Sequence, residues 1–444
     1  MSSERKYDAI VIGAGFAGLS AAVRMAAGGA RVLVLEAKSR LGGRATAFVD
    51  RDSGEVVDNG QHVLLGCYVE TFEFLRTIGA EGRVRVQPQL AVTMIDLRGR
   101  RSRLVCPALP SPLHLVAAVL EWDALSWRDR ASILSMSAAL RLARRAIRPG
   151  STLQVASPGE TVENWLIRNG QTTRIREMLW NPLALAALNQ PPDQAAAPPF
   201  ARVVGEMFGG DARAAAIGLP TTPLHEMYAD PAREYLVAHG GEVRTGAQAK
   251  IRVDTDRVVS VEAGGDVWST DRVISAVPWF ALPEVFDAVP AALADTVART
   301  ARMAASPIVT VNLWLDRRVI DEPFIGLPGR AMQWVFAKNG SHLSLVSSGA
   351  ESIFRQTNEE LIAMAYDELA SALPAVRDTR LARATVVREP RATFSLAPGQ
   401  PQRPTTQTAV RGLYLAGDWI DTGLPATIES AVRSGHRAAD VCIG

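Results

Sequence analysis

The chain has 444 residues, 48% of them hydrophobic and 21% charged, with a formal net charge of +2. That is room for two or three lobes at roughly 100–200 residues each, and it implies neither a disordered chain nor a nucleic-acid partner. Cys67, Cys106 and Cys442 lie far apart with no CxxC pair, which excludes a disulfide framework and an all-cysteine zinc site. The six histidines are scattered without an HExxH, so no metal is expected.

In chain order, Arg5 and Lys6 precede an apolar run at 9–12 that is too short for a secretory leader. Residues 7–12 (YDAIVI) predict a buried strand. Gly13, Gly15 and Gly18 follow as GAGFAG, and residues 19–27 are helical in composition. Gly13 makes the tight turn, Gly15 lets a pyrophosphate approach the backbone, and Gly18 lets the helix pack close. The helix N-terminus then offers free N–H groups and a positive dipole end to phosphate. Residues 31–35 (RVLVL) predict a second strand, with Glu36 at its end. Glu36 stands 18 residues past Gly18, near the spacing expected of an acid on ribose hydroxyls. Arg40-Leu41-Gly42-Gly43-Arg44 comes next, a loop whose glycines can wrap a dinucleotide and whose arginines can neutralise phosphate.

Residues 57–62 (VDNGQH) then turn from apolar to polar. Between residues 83 and 150 twelve arginines face four acids, a local balance of +8. That stretch also holds an uncharged run at 104–120, with Trp122 and Trp127 after it. The run carries Pro107, Pro110 and Pro112 and is too short to span a bilayer. Residues 104–149 are therefore expected to contact a membrane surface peripherally. Residues 180–189 (WNPLALAALN) predict a core helix or the wall of a hydrocarbon tunnel, and 191–199 (PPDQAAAPP) a loop. Residues 241–261 predict hairpin-like strands, and 271–278 (DRVISAVP) another strand. Near the end, 412–416 (GLYLA) predict a strand, Gly417-Asp418 a turn, and 427–441 a helix.

The RxGGR block resembles the signature of the flavin amine oxidase and phytoene desaturase superfamily. The resemblance implies an α/β fold: a Rossmann-type FAD-binding domain from discontinuous segments, about 1–85, 230–285 and 405–444. Residues 86–229 and 286–404 would form an inserted α+β substrate domain. It also implies non-covalent FAD. The contacts would come from Gly13, Gly15, Phe16, Ala17 and Gly18, then Glu36 and Ala37, then Arg40, Gly42, Gly43 and Arg44. Asn59, Gly60 and Gln61 would pass the flavin ring, and Ala249 would touch the adenine end. Gly417 and Asp418 would reach the ribityl chain, and Ala426, Thr427 and Ile428 the flavin N1 and O2.

The strings DNGQHVLLGCY and AGDWIDTGLPATIESAVRSG are similar to the squalene-associated FAD enzymes of bacterial hopanoid pathways, the hydroxysqualene dehydroxylase family. That likeness implies loss of a hydroxyl from a C30 isoprenoid and uptake of a hydride. His62 and Asp58 are the expected proton donors, because their loop would pass the ring. The protein would be cytoplasmic, at the inner face of the cytoplasmic membrane. Alternatives on the same fold are an isoprenoid desaturase, an amine oxidase and a non-enzymatic prenyl-binding escort. Only four lysines occur, none within 304–313 where amine oxidases of the superfamily carry one. No second nucleotide fingerprint identifies the electron donor for FAD.

Overall fold

The computed structural model describes residues 7–50, 54–148, 150–209, 211–338 and 340–444. The reading of Arg5 and Lys6 lies outside the described residues. Strand β1 (Ala9–Ile12) runs into helix α1 (Phe16–Ala27), and β2 (Val32–Leu35) follows. Both strands are buried at every residue, which is why they read as continuous apolar runs rather than alternating ones. Helix α2 (Val69–Thr77) comes later. Strands β3 (Glu242–Arg244), β4 (Val273–Ser275) and β5 (Leu413–Leu415) complete a parallel sheet in the order β3-β2-β1-β4-β5. Helix α3 (Ile428–Ile443) lies on α1 so closely that a Cβ on Gly435 would stand 2.3 Å from the Ala17 carbonyl oxygen.

Residues 242–244 depart from the hairpin expected for them. They pair in parallel with β2, after the helix Asp230–Ala238. Within 241–269, antiparallel pairing joins Lys250–Asp254, Arg257–Ala263 and Asp266–Ser269.

A second, seven-stranded sheet takes Leu381–Phe394, Ala305–Leu315, His342–Ser348, Trp334–Ala337, Phe324–Gly326, Ala91–Ile95 and Arg101–Val105, in that order. Its side chains alternate between two cores, as the two-residue period of a strand requires. Val335, Leu345 and Ile325 pack toward the helix Asn358–Ala372. Their neighbours Phe336, Val346 and Phe324 face the core shared with the helices of 113–209.

The uncharged run at 104–120 is split between a strand end and the helix Leu113–Glu121. Among the described residues no helix is long and apolar enough to cross a membrane. The proline-rich stretch at 191–199 is not all loop, because helix Ala197–Gly209 begins inside it. Pro198 and Pro199 fall in its first turn, where a missing N–H costs nothing.

Candidate active site

Three backbone devices build one end of the site. Gly13 has φ +104°, and a Cβ there would lie 2.9 Å from the Ala276 oxygen. On Gly18 a Cβ would lie 1.9 Å from the Gly13 oxygen, so β1 and α1 meet only through glycine. Gly15 is different: a Cβ would find nothing nearer than Gly43 Cα at 3.8 Å. The protein's own packing does not demand glycine at Gly15, whereas close approach of a phosphate would. Helix α1 has no side-chain N-cap and no acid in its first turn, which leaves its orphan N–H groups for an anion.

The Gly42-Gly43 loop lies directly on this turn. Gly42 N donates to the Ala14 oxygen at 2.9 Å, and both glycines have positive φ. Tyr228, which sequence reasoning missed, locks the two together. Its hydroxyl donates to the Gly42 oxygen at 2.8 Å, and its ring stacks on Phe16 at 3.6 Å. Glu36 is buried, and its carboxylate accepts from Ala14 N at 2.8 Å and Lys38 N at 2.9 Å. The Ala247 N–H donates to the Glu36 backbone carbonyl at 2.8 Å, which brings the segment carrying Ala249 beside that residue. Ala37 and Arg40 are exposed at the rim.

Arg44 and Asp418 form an ion pair. The guanidinium also donates to the Ala392 oxygen at 2.9 Å and covers the Trp279 ring at 5.6 Å. Gly417 N is held by Ser434 Oγ at 2.7 Å, so the turn before Asp418 is fixed to α3. Thr427 caps α3, accepting from Ser430 N at 3.1 Å, and Ala426, Thr427 and Ile428 form its half-buried approach.

Beside α3 opens a cavity with about 1450 Å³ of empty space, part of it open to solvent. Val92, Met94, Leu104, Phe324 and Phe336 of the seven-stranded sheet form one wall. Pro182, Leu183, Ala186 and Ala187 of the helix Asn181–Leu188 form another, while Ala184 and Leu188 of the same helix are core. Gln61, Leu424, Pro425 and Thr427 close the end toward α3. Gln61 Oε1 is buried and has no hydrogen-bond partner among the described residues.

The polar groups of the cavity gather at that same end. Burial pushes the Cys67 thiol up to about 12 and the Tyr68 phenol upward as well, so both stay protonated near neutrality. Glu429 accepts from Glu70 N at 3.1 Å, Thr71 N at 2.9 Å and Thr71 Oγ1 at 2.8 Å. It thereby caps α2, although burial pushes its carboxyl upward against those bonds.

The expected proton donors stand beside this end, behind its wall. Gln61 and Val63 line the cavity, and His62 between them does not. His62 Nδ1 lies 2.9 Å from the Gly60 oxygen, and burial lowers its pKa, so the ring is neutral with Nδ1–H on that carbonyl. Asp58 accepts from Lys338 Nζ at 3.0 Å and from Leu224 N at 3.2 Å, using both carboxylate oxygens. Asn59 clips the RxGGR loop through the Arg44 carbonyl and Thr46 N. Gly60 approaches Thr310, whose Oγ1 has no partner among the described residues.

A parallel sheet with a glycine-rich turn, a ribose-type acid and an apolar cavity at a second helix N-terminus defines a flavin-dependent oxidoreductase. The chain belongs to the flavin-containing amine oxidoreductase family, whose model matches residues 16–443. It is 31% identical to hydroxysqualene dehydroxylase of Zymomonas mobilis, covering 98% of each chain. It is 32% identical to hydroxysqualene dehydroxylase of Rhodopseudomonas palustris, covering 98% of this chain and 97% of that one. More distant is a 15-cis-phytoene desaturase of an Oncidium hybrid, 25% identical over 99% of this chain and 78% of that one. An oxidoreductase structure from Methanosarcina mazei shares the fold, with TM-score 0.74, 19% identity, and 97% and 99% of the two chains covered. The cofactor is FAD.

Proposed function

We propose that the protein carries out reductive dehydroxylation of hydroxysqualene to squalene. The observation that carries this reading is the apolar cavity abutting the α3 N-terminus, in a chain about 30% identical over its whole length to hydroxysqualene dehydroxylases. In this reading the α1 N-terminus, Gly15, Gly43, Arg40 and Arg44 hold the pyrophosphate of FAD, and Glu36 and Ala37 the adenosine ribose. Ala249 borders the adenine, and Gly417 with Asp418 borders the ribityl chain. Thr427 N is held by the Pro425 oxygen at 2.8 Å, which leaves the Ile428 N–H, the first of α3, to face the flavin N1 edge, where a helix N-terminus favours negative charge. Reduced FAD supplies a hydride when bound.

The remaining work falls to the chain itself. The cavity wall holds the isoprenoid and excludes water that would capture an allylic cation. Tyr68, kept neutral by burial, presents an O–H donor at the α3 end. Asp58 with Lys338 fixes the 58–62 loop, and a neutral His62 stiffens it through the Gly60 carbonyl.

A C30 hydrocarbon chain must be collected from a bilayer. Leu109, Leu113, Trp127 and Leu134 are exposed in the arginine-rich region. Helix Ser137–Ala146 buries Ala139, Leu140 and Ala143 while Arg141, Arg144 and Arg145 face outward. Exposed apolar and cationic groups together suit the anionic face of a membrane, and salt-sensitive pelleting with anionic vesicles tests this.

The identity to phytoene desaturase supports a second reading, in which hydride leaves the isoprenoid instead. Lipid extraction decides between them. Squalene formed from hydroxysqualene by the reduced enzyme supports the first; polyenes formed by the oxidised enzyme from phytoene-like substrates support the second.

A further inference from the structure

Helix Ala197–Gly209 turns Val203, Met207 and Phe208 to the cavity, and Glu206 stands among them. Positions three and four apart share a helix face, so an acid has been placed on the apolar side. A carboxylate there needs partners. Glu206 has one, Arg202 on the preceding turn, whose Nε donates to Oε1 at 2.9 Å while Nη2 forms an ion pair with the same oxygen at 2.8 Å. Oε2 accepts from no group among the described residues.

The other cavity carboxylate is different. Both oxygens of Glu429 are taken, by Glu70 N and Arg433 on one side and by Thr71 on the other. A Cβ on Gly423, in the loop that enters α3, would lie 3.9 Å from Arg202 Nη1, so the Arg202–Glu206 pair belongs to the end of the cavity nearest α3.

We propose that Glu206 is the specificity residue for the substrate's alcohol: Oε2 accepts the hydrogen bond of its single hydroxyl. This rests on the hydroxysqualene reading. An isoprenoid alcohol carries one polar atom into an apolar cavity, and leaving that atom unpaired is costly. A carboxylate with a free oxygen answers that need, and Arg202 holds it oriented. A hydrocarbon product gains nothing from it, so the same residue favours release of squalene over hydroxysqualene.

The test is equilibrium binding to the oxidised holoenzyme, which does not turn over. Hydroxysqualene and squalene are titrated in detergent and read by the flavin absorbance change. Glu206→Leu is expected to weaken hydroxysqualene by about tenfold to hundredfold, the range of a hydrogen bond to a charged group. Squalene binding stays within about twofold, since no such bond is lost. Glu206→Gln keeps an acceptor and falls between. The double variant Arg202→Met with Glu206→Leu leaves no stranded guanidinium and reproduces the single change. FAD content, unchanged in each variant, reports folding. An alcohol-to-hydrocarbon affinity ratio equal to wild type in all variants overturns the role of Glu206 while leaving the substrate reading intact. A wild-type enzyme that binds neither lipid overturns both.

Discussion

Replacing Glu36 by glutamine separates the two duties of this carboxylate. Its oxygens already accept from Ala14 N and Lys38 N, and a carboxylate has about four lone-pair sites. Two sites therefore remain for a ribose diol. Glutamine turns one oxygen into an NH₂ group, which sets a donor against a backbone donor and cannot accept from ribose. Hydrogen bonds to a charged group contribute about 1.5–3 kcal/mol each. One such loss lowers apo-protein stability by about 2 kcal/mol, and another weakens FAD by about tenfold to hundredfold. Urea unfolding of the apo-protein measures the first, and fluorescence titration with FAD the second. FAD affinity equal to wild type, with stability lowered, would show that Glu36 only braces the turn and would refute its ribose role.

Further predictions concern packing, pH and the 58–62 loop. Gly18→Ala puts a Cβ 1.9 Å from the Gly13 oxygen and 3.1 Å from Ala276 Cβ. Backbone cannot yield as a side chain does, so we expect a loss of at least about 1–3 kcal/mol and poor FAD retention, read by thermal melting with and without FAD. His342 is buried, donates to Asn312 Oδ1 at 3.0 Å and stacks on Trp314; burial, with Lys338 nearby, lowers its pKa to about 4. The unfolded chain binds that proton more readily, so stability is full above about 6.5 and falls by up to about 3 kcal/mol as pH drops toward 4. His342→Gln should remove that slope from denaturation curves taken across this window. Asp58→Asn strands Lys338 and should destabilise the protein by about 1–3 kcal/mol, read by urea unfolding. His62→Ala should slow a single turnover by less than the hundredfold that loss of a general acid costs; a larger drop in stopped-flow rate would return the proton to His62.

The ends of the chain were legible because each glycine there answers a backbone demand. Gly13, Gly18 and Gly42 each sit where a Cβ would meet backbone or a neighbouring side chain within about 3 Å. The parallel order of β1 and β2 followed from apolar runs separated by a helix. Strand β3 was not legible: three residues give no periodicity, and its apolar count is one. Helix Ala197–Gly209 was hidden because prolines in a first turn look like a linker. The cavity was hidden for a deeper reason. Its wall comes from strands and helices hundreds of residues apart, and a residue such as Phe324 or Val203 reads as ordinary core. Only Glu206 gave a local signal, an acid between Val203 and Met207 on an apolar face, and single acids on helices are too common to mark a site alone. Tyr228 gave none, since its partners are carbonyl oxygens some 185 residues away.

The central claim is the direction of hydride transfer to an isoprenoid alcohol, and an anaerobic single turnover tests it most directly. The bound flavin is reduced with dithionite, hydroxysqualene is added in detergent or vesicles, and the oxidised-flavin absorbance is followed while lipid is extracted. The account predicts return of the yellow band with one squalene formed per flavin. A flavin that stays reduced while hydroxysqualene is recovered intact would contradict it.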